Sequence, residues 1–198
     1  MRIGLDFDNT IVCYDGIFHA LAVERELIPA STPAHKQAVR DHLRAVGRED
    51  DWTRLQGVVY GEEILRAVPF PDACETIRRC AKLGADLVLI SHRTRTPALG
   101  PDVDLHQAAR RWLTSQQLDD CFREIHFAET RAAKYARIAE TTRECFVDDL
   151  PEFLRDASFP ESTQRVLFDP AHQHADCETW IRVNGWRELA TWIEEQWR

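Results

Sequence analysis

The sequence predicts an α/β fold: a doubly wound, Rossmann-type parallel sheet with a small helical cap inserted after its first strand. Three observations lead there. Five short apolar runs, Ile3 to Leu5, Leu87 to Ile90, Ile125 to Phe127, Cys145 to Val147 and Val166 to Phe168, are near-continuous rather than alternating. That is the pattern of strands buried on both faces of a parallel sheet. The segments between the later runs carry apolar residues at helical spacing, so strand and helix alternate. Between the first run and the second lie about eighty residues, far more than one crossover helix needs.

Each element has a local reason. Residues 16–28 form a predicted helix with Ile17, Phe18 and Leu21 on one side. A second helix is marked by Thr32 as N-cap, Pro33 at the first helical position, Val39, Leu43 and Val46 on one face, and then Gly47. A third, weaker helical segment covers Glu62 to Ala67, and Pro69-Phe70-Pro71 is the hinge that returns the chain to the core. The expected division is therefore a core of residues 1–13 and 70–198 and a cap of residues 14–69. In the core, a helix from Asp72 to Leu83 places Ala73, Ile77, Cys80 and Ala81 inward and stops at Gly84. Asp104 to Leu118 does the same with Leu105, Ala108, Ala109, Trp112 and Leu113, and Thr130 to Glu140 with Ala132, Tyr135, Ala136 and Ala139. Near the end, Trp186, Leu189, Ala190, Ile193 and Trp197 share one helical face. A closing helix packed on the sheet explains them, and a homo-oligomer interface is the alternative.

Composition narrows the function classes. Apolar residues at 44% and charged residues at 29% are ordinary for a globular chain. The 33 acids outnumber the 25 bases for a net charge of −8, so neither nucleic acid nor an anionic membrane is an expected partner. No ten consecutive residues lack a charged side chain, which argues against a membrane-spanning helix. Asp6 interrupts the opening residues too early for a secretory signal, and the six cysteines are scattered without a CxxC pair. A cytoplasmic protein with reduced thiols is expected. Neither GxxxxGK[ST] nor GxGxxG is present, which removes the common nucleotide-binding loops.

The chemistry concentrates at predicted strand ends. Asp6-Phe7-Asp8-Asn9-Thr10 follows the first strand, Ser91 ends the second, and Asp148-Asp149 ends the fourth. In a parallel sheet these ends open on one edge, where ligands of open α/β sheets bind. Carboxylates there are costly unless a cation or a reaction uses them. Four of them, Asp6, Asp8, Asp148 and Asp149, ask for a hard cation such as Mg²⁺, which takes oxygen ligands. Blander readings stand beside each residue: Asp148-Asp149 before Leu150-Pro151 as a helix cap, Ser91 as a turn residue, and Lys134 as a solvated lysine.

In this pattern the sequence resembles the haloacid dehalogenase-like (HAD) hydrolase superfamily, most of whose members are phosphatases. The first motif, DxDx[TV], is met by Asp6, Asp8 and Thr10. The second, an apolar strand ending in Ser or Thr, is met by Ser91, and the third, a lone basic residue, by Lys134, with Arg131 one turn earlier as its rival. The acidic pair of the fourth is met by Asp148 and Asp149, with Glu152 a further acid. The resemblance implies Asp6 as nucleophile, forming an aspartyl-phosphate, and Asp8 as general acid and then general base. It implies Mg²⁺ held by Asp6, the backbone carbonyl of Asp8, and Asp148, with Asp149 as ligand or close behind. Ser91, the backbone amides after Asp6 and after Ser91, and Lys134 would hold the phosphoryl oxygens, while Thr10 braces the loop. His92, Arg93 and Arg95 follow Ser91 and are expected either to bind a second anionic group of the substrate or to pair with the surplus acids.

A small phosphorylated metabolite is the expected substrate, because a helical insertion of this size serves as a lid. Tyr14, Arg44, Arg48, Trp52, Arg54 and Tyr60 are candidates to line it. Dehalogenases of this superfamily lack the second acid of the first motif, so Asp8 argues against one. A phosphomutase or phosphotransferase of the same fold, and a non-enzymatic phosphoacceptor or binding module, compete with the phosphatase reading. His172, His174 and Cys177 lack a fourth ligand for a transition metal and suit a surface loop equally well.

Overall fold

The structure is a computed structural model and describes residues 1–196. The chain forms two compact units: Met1–Ile11, Pro69–Arg93 and Gln117–Arg198 make the first, Val12–Val68 and Thr94–Gln116 the second.

The first unit is built on a sheet of six strands, all paired in parallel: β1 (Arg2–Leu5), β4 (Asp86–His92), β5 (Glu124–Ala128), β6 (Cys145–Asp148), β7 (Gln164–Phe168) and β8 (Ile181–Val183). Their order is β5-β4-β1-β6-β7-β8, so the winding reverses between β1 and β6. A crevice opens at such a reversal because successive connections leave to opposite sides. Leu5 stands in register with Leu89 on one side and Val147 on the other, which sets the ends of β1, β4 and β6 at one level.

Both faces of the sheet are covered. Val88, Ile90, Phe146 and Leu167 point to a cluster completed by Tyr135 and Ile138 of α6 (Arg131–Glu140), Phe153 and Leu154 of α7 (Pro151–Arg155), Phe159 and Trp180. Ile3, Leu5 and Leu87 meet Ile77 and Cys80 of α4 (Ala73–Lys82) and Trp186 and Ile193 of α8 (Trp186–Gln196) on the other face. Gly4 has no side chain because a Cβ there would lie 2.4 Å from the Phe146 ring.

The five apolar runs all form strands; two-sided burial accounts for the unbroken character of four of them, while β5, at the edge of the sheet, is half-buried along its length. The sixth strand, β8, is a departure from the five expected: three residues centred on Arg182 are too short for a periodic signal. The β7–β8 crossover has no helix. It is organised by the buried Asp169 carboxylate, which accepts from the Gln173 and His174 amides at 2.9 Å each.

The second unit holds α1 (Asp15–Glu24), α2 (Lys36–Ala45), α3 (Glu49–Tyr60) and α5 (Leu105–Ser115). Two-residue strands β2 (Val12–Cys13) and β3 (Val68–Pro69) pair where the chain leaves and rejoins the sheet. Tyr14, Phe18, Trp52 and Tyr60 form an aromatic core, with Tyr14 and Tyr60 ring centroids 4.9 Å apart and Phe18 and Trp52 5.0 Å. Tyr14 and Trp52 therefore support the helices instead of lining a lid surface. Arg44 pairs with Glu49, and Arg48 and Arg54 with Asp51.

Several expectations change here. The third helix lies at Glu49–Tyr60, and only a single 3₁₀ turn, Ile64–Arg66, falls within residues 62–67. The apolar spacing of Trp52, Leu55, Val58 and Val59 was masked by the opening run of acids and by Gly57. His35, not Thr32, caps α2, its ring accepting from the Ala38 amide at 3.2 Å. The first helix stops at Glu24, before Glu26 takes a left-handed φ of 55°. α5 falls in the second unit, where the Trp112 indole donates to the Ala67 carbonyl at 2.8 Å. Trp197 lies outside the described residues. Among the described residues no helix is long and apolar enough to cross a membrane.

The segment before α5 packs closely on α3. A Cβ on Gly57 would lie 2.6 Å from the Leu99 carbonyl oxygen, a backbone atom that cannot swing aside. Gly57→Ala is therefore expected to destabilise the protein by about 1–3 kcal/mol. Gly16→Ala in α1, with nothing within 4 Å of the new methyl, should be neutral or stabilising by up to about 1 kcal/mol. Urea unfolding of both variants is the measurement, and equal midpoints would refute the close approach.

Candidate active site

The site lies at the carboxyl ends of β1, β4 and β6, within the first unit. Asp6 follows β1, and its amide donates to the Val147 carbonyl at 2.9 Å, so the ladder with β6 holds it in place. Asp148 ends β6, and Ser91 lies one residue before the end of β4. Lys134 reaches them from the first turn of α6, whose start is capped by Thr130 accepting from the Ala133 amide at 3.1 Å.

These side chains converge. The Lys134 ammonium donates at 2.6 Å to Asp6 Oδ1 and at 2.6 Å to Asp148 Oδ2. Asp6 is 4% exposed, Lys134 2% and Asp148 0%. The ammonium also lies 4.3 Å from the Phe153 ring centroid and 5.3 Å from that of Phe146, so two aromatic faces flank it. Burial pushes the Asp6 carboxyl well above the usual carboxylate range; Lys134 pulls it down, and Asp148 and Asp8 push it further up. Burial alone would lower the Lys134 pKa, but the two carboxylates outweigh it and keep the side chain an ammonium.

Three further groups complete the site. Ser91 Oγ is buried and has no hydrogen-bond partner among the described residues, a condition that normally costs free energy and marks a place for a ligand or water. Asp8 is half-buried, and Arg93 forms an ion pair with its Oδ1 while lying 5.3 Å above the Phe7 ring. Thr10 is buried, its carbonyl accepting from the Trp186 indole of α8 at 2.9 Å. That bond anchors the loop carrying Asp8.

The remaining candidates separate cleanly. Arg131 is exposed and sits 3.8 Å from Glu152, so Lys134 alone reaches the buried carboxylates. His92 is exposed at the end of β4, and Arg95 pairs with Asp104 at 2.9 Å. Asp148 does not cap α7: its Oδ1 accepts from the Leu150 amide at 2.9 Å within the loop. Asp149 is half-buried beside it. Sequence reasoning did not pick out Phe153, Phe146 or Trp186 as parts of the site. Their residue type matches ordinary core, and only the sheet geometry brings them to Lys134 and Thr10.

The donor set also bears on a cation. Asp6 and Asp148 share a single positive charge, which leaves one net negative charge in a buried place. Among the described residues no three His, Cys, Asp or Glu side chains form a ready-made cage, and this includes His172, His174 and Cys177. Mg²⁺ needs no such cage, because one or two carboxylates with water and phosphate oxygens satisfy it. Asp6 and Asp148 fit that requirement.

The sequence matches no protein-family model and no curated protein. The fold is shared with solved structures of HAD-superfamily hydrolases. One from Ehrlichia chaffeensis has a TM-score of 0.57 at 12% identity, covering 100% of this chain and 97% of its own. A predicted phosphoglycolate phosphatase from Haemophilus somnus has 0.60 at 17%, covering 98% and 97%. The L-2-haloacid dehalogenase from Xanthobacter autotrophicus, with chloropropionic acid covalently bound, has 0.59 at 13%, covering 98% and 98%. At such identities the likeness is one of fold.

Lys134→Met should leave two buried carboxylates facing each other and cost roughly 3–5 kcal/mol of stability. Arg131→Met should change stability by no more than about 0.5 kcal/mol. Urea denaturation distinguishes them, and a mild Lys134→Met variant would contradict the buried triad.

Proposed function

We propose that this chain is a Mg²⁺-dependent phosphatase of the cytoplasm that hydrolyses a small phosphorylated metabolite through an aspartyl-phosphate on Asp6. The observation that carries the reading is the Lys134 ammonium held between Asp6 and Asp148, with the orphaned Ser91 hydroxyl on the neighbouring strand end. An ammonium there holds the nucleophile in position and faces the negative charge of an incoming phosphoryl group.

In the first half-reaction an Asp6 carboxylate oxygen attacks phosphorus, the bond to the leaving oxygen breaks, and Asp8 gives that oxygen a proton. In the second, water attacks the same phosphorus, Asp8 takes the water's proton, and the bond to Asp6 breaks, freeing inorganic phosphate. Two of the three Lys134 N–H groups are used by Asp6 and Asp148, and the third is available to a phosphoryl oxygen. The Ser91 hydroxyl donates to another. Asp6, the Asp8 carbonyl and Asp148, with Asp149 adjacent, would hold Mg²⁺, which when bound lowers the repulsion between carboxylate and phosphate.

Asp8 supports a phosphatase over a dehalogenase, since a departing halide needs no proton while an alkoxide does. The helical insertion after the first strand supports a small phosphomonoester over a phosphoprotein.

Chelation should abolish phosphate release and added Mg²⁺ should restore it. After acid quench, labelled phosphate should be trapped on wild type and never on Asp6→Asn. Asp8→Asn should lose about a hundred- to ten-thousand-fold in turnover, least with leaving groups that need little protonation. Label on Asp6→Asn, or undiminished turnover in chelator, would reject the assignment.

A further inference from the structure

A cavity of about 400 Å³ lies within the first unit at the amino ends of the strands, the edge of the sheet opposite Asp6 and Asp148. That volume is within the range of small-molecule sites. Cys145 and Ile181, the first residues of β6 and β8, line it together with Met1. Glu144 and Gln164 stand at the starts of β6 and β7, and Trp192 and Gln196 lie one turn apart on α8. No lysine, arginine or histidine is among the lining residues, so an anion finds no side-chain counter-charge there. Glu144 is the one charged side chain of the lining. Its Oε2 accepts from the Arg2 amide at 2.8 Å, and its Oε1 stands 3.6 Å from Arg2 Nη2, outside hydrogen-bond length. A carboxylate offers about four lone-pair sites, so Glu144 retains accepting capacity on both oxygens. The Arg2 guanidinium beside it offsets its charge, which disfavours an organic cation. What the carboxylate still suits is a neutral ligand with two adjacent N–H donors.

We propose that this cavity is a binding site for a guanine nucleoside, separate from the candidate active site. The guanine edge carries a ring N–H beside an exocyclic amine, and a carboxylate accepts from both at once. Trp192, half-buried on α8, supplies an indole against which the base stacks. The Gln164 and Gln196 amides each add a donor and an acceptor for the remaining ring atoms and the ribose hydroxyls. Cys145, whose thiol burial pushes up to about 12 and so keeps neutral, and Ile181 give the cavity an apolar part. With no basic side chain in the lining, the nucleoside portion and not a phosphate is what the cavity recognises. The site is carried by residues that take no part in the phosphatase reading and stands independently of it.

The full chain, titrated calorimetrically with three unphosphorylated probes, tests this: guanosine, inosine, which lacks the exocyclic amine, and adenosine, which lacks the ring N–H. Guanosine should bind with a Kd below about 1 mM, a modest affinity for a ligand of its size. Inosine should bind at least about tenfold more weakly, through loss of one hydrogen bond to a charged acceptor, and adenosine more weakly still. Glu144→Gln should bring guanosine and inosine to nearly equal affinity. Trp192→Leu should weaken both by a similar factor, and Trp192→Phe, which keeps an aromatic face, should retain most of the binding. Tm values close to wild type identify the variants as folded, and Trp192→Phe serves as the second probe of the stacking surface if Trp192→Leu is not. No saturable binding of guanosine, or equal binding of all three probes, would overturn the proposal. Guanosine binding untouched by both Glu144→Gln and Trp192→Leu would place the ligand elsewhere and overturn it equally.

Discussion

One ammonium between two buried carboxylates is the constraint on which the rest of the site depends. Asp6 and Asp148 come from adjacent strands, and 2.6 Å contacts to Lys134 draw their ends together. Without the cation, two negative charges with almost no solvent would repel each other across the sheet edge, and the Coulomb term at that depth is large. Satisfying them from side chains alone would take a second cation. Among the described residues Lys134 is the one cation paired with them, so the cluster keeps a negative charge and a readiness for a further positive partner. Burial raises the Asp6 pKa, and the neighbouring carboxylates of Asp148 and Asp8 add to the rise against the pull of Lys134.

The geometry behind that contact is topological. The sheet reverses its winding between β1 and β6, and the strand ends flanking this reversal carry Asp6 and Asp148. Gly4, inside β1, lets the Phe146 ring lie against the backbone, and Phe146 with Phe153 forms the aromatic wall beside the ammonium. A small residue in the central strand, a large one on its neighbour and a cation above them form one packing unit. The acids are thereby positioned by hydrophobic burial as much as by charge.

The central strands and their terminal acids were legible because both signals are local: a buried parallel strand is an apolar run, and a carboxylate at its end is conspicuous. Lys134 and Arg131 were not separable, since one helical turn divides them and only the direction of α6 relative to the sheet decides which faces inward. Arg93 was legible as a partner for the surplus acids, but not that Asp8 is the acid: the pair joins residues 85 apart, and a sequence offers no register between β1 and β4. The insertion was legible as helical but not in detail. A histidine capping α2 and an acid-rich start with Gly57 in α3 follow weaker preferences than tertiary packing, and packing prevailed. β8 had too few residues to show any period.

The bond from the Trp186 indole to the Thr10 carbonyl has a consequence in time. Asp6 and Asp8 are synthesised well before α8, yet the loop that carries them is tethered by a side chain made some hundred and seventy residues later. The strands that flank β1 arrive late as well, β4 before β6. A nascent chain stopped short of α8 would hold every acid named here with the loop untied. These acids are thus made long before the side chain that fixes their loop, and the order of translation itself delays the finished site until α8 has followed.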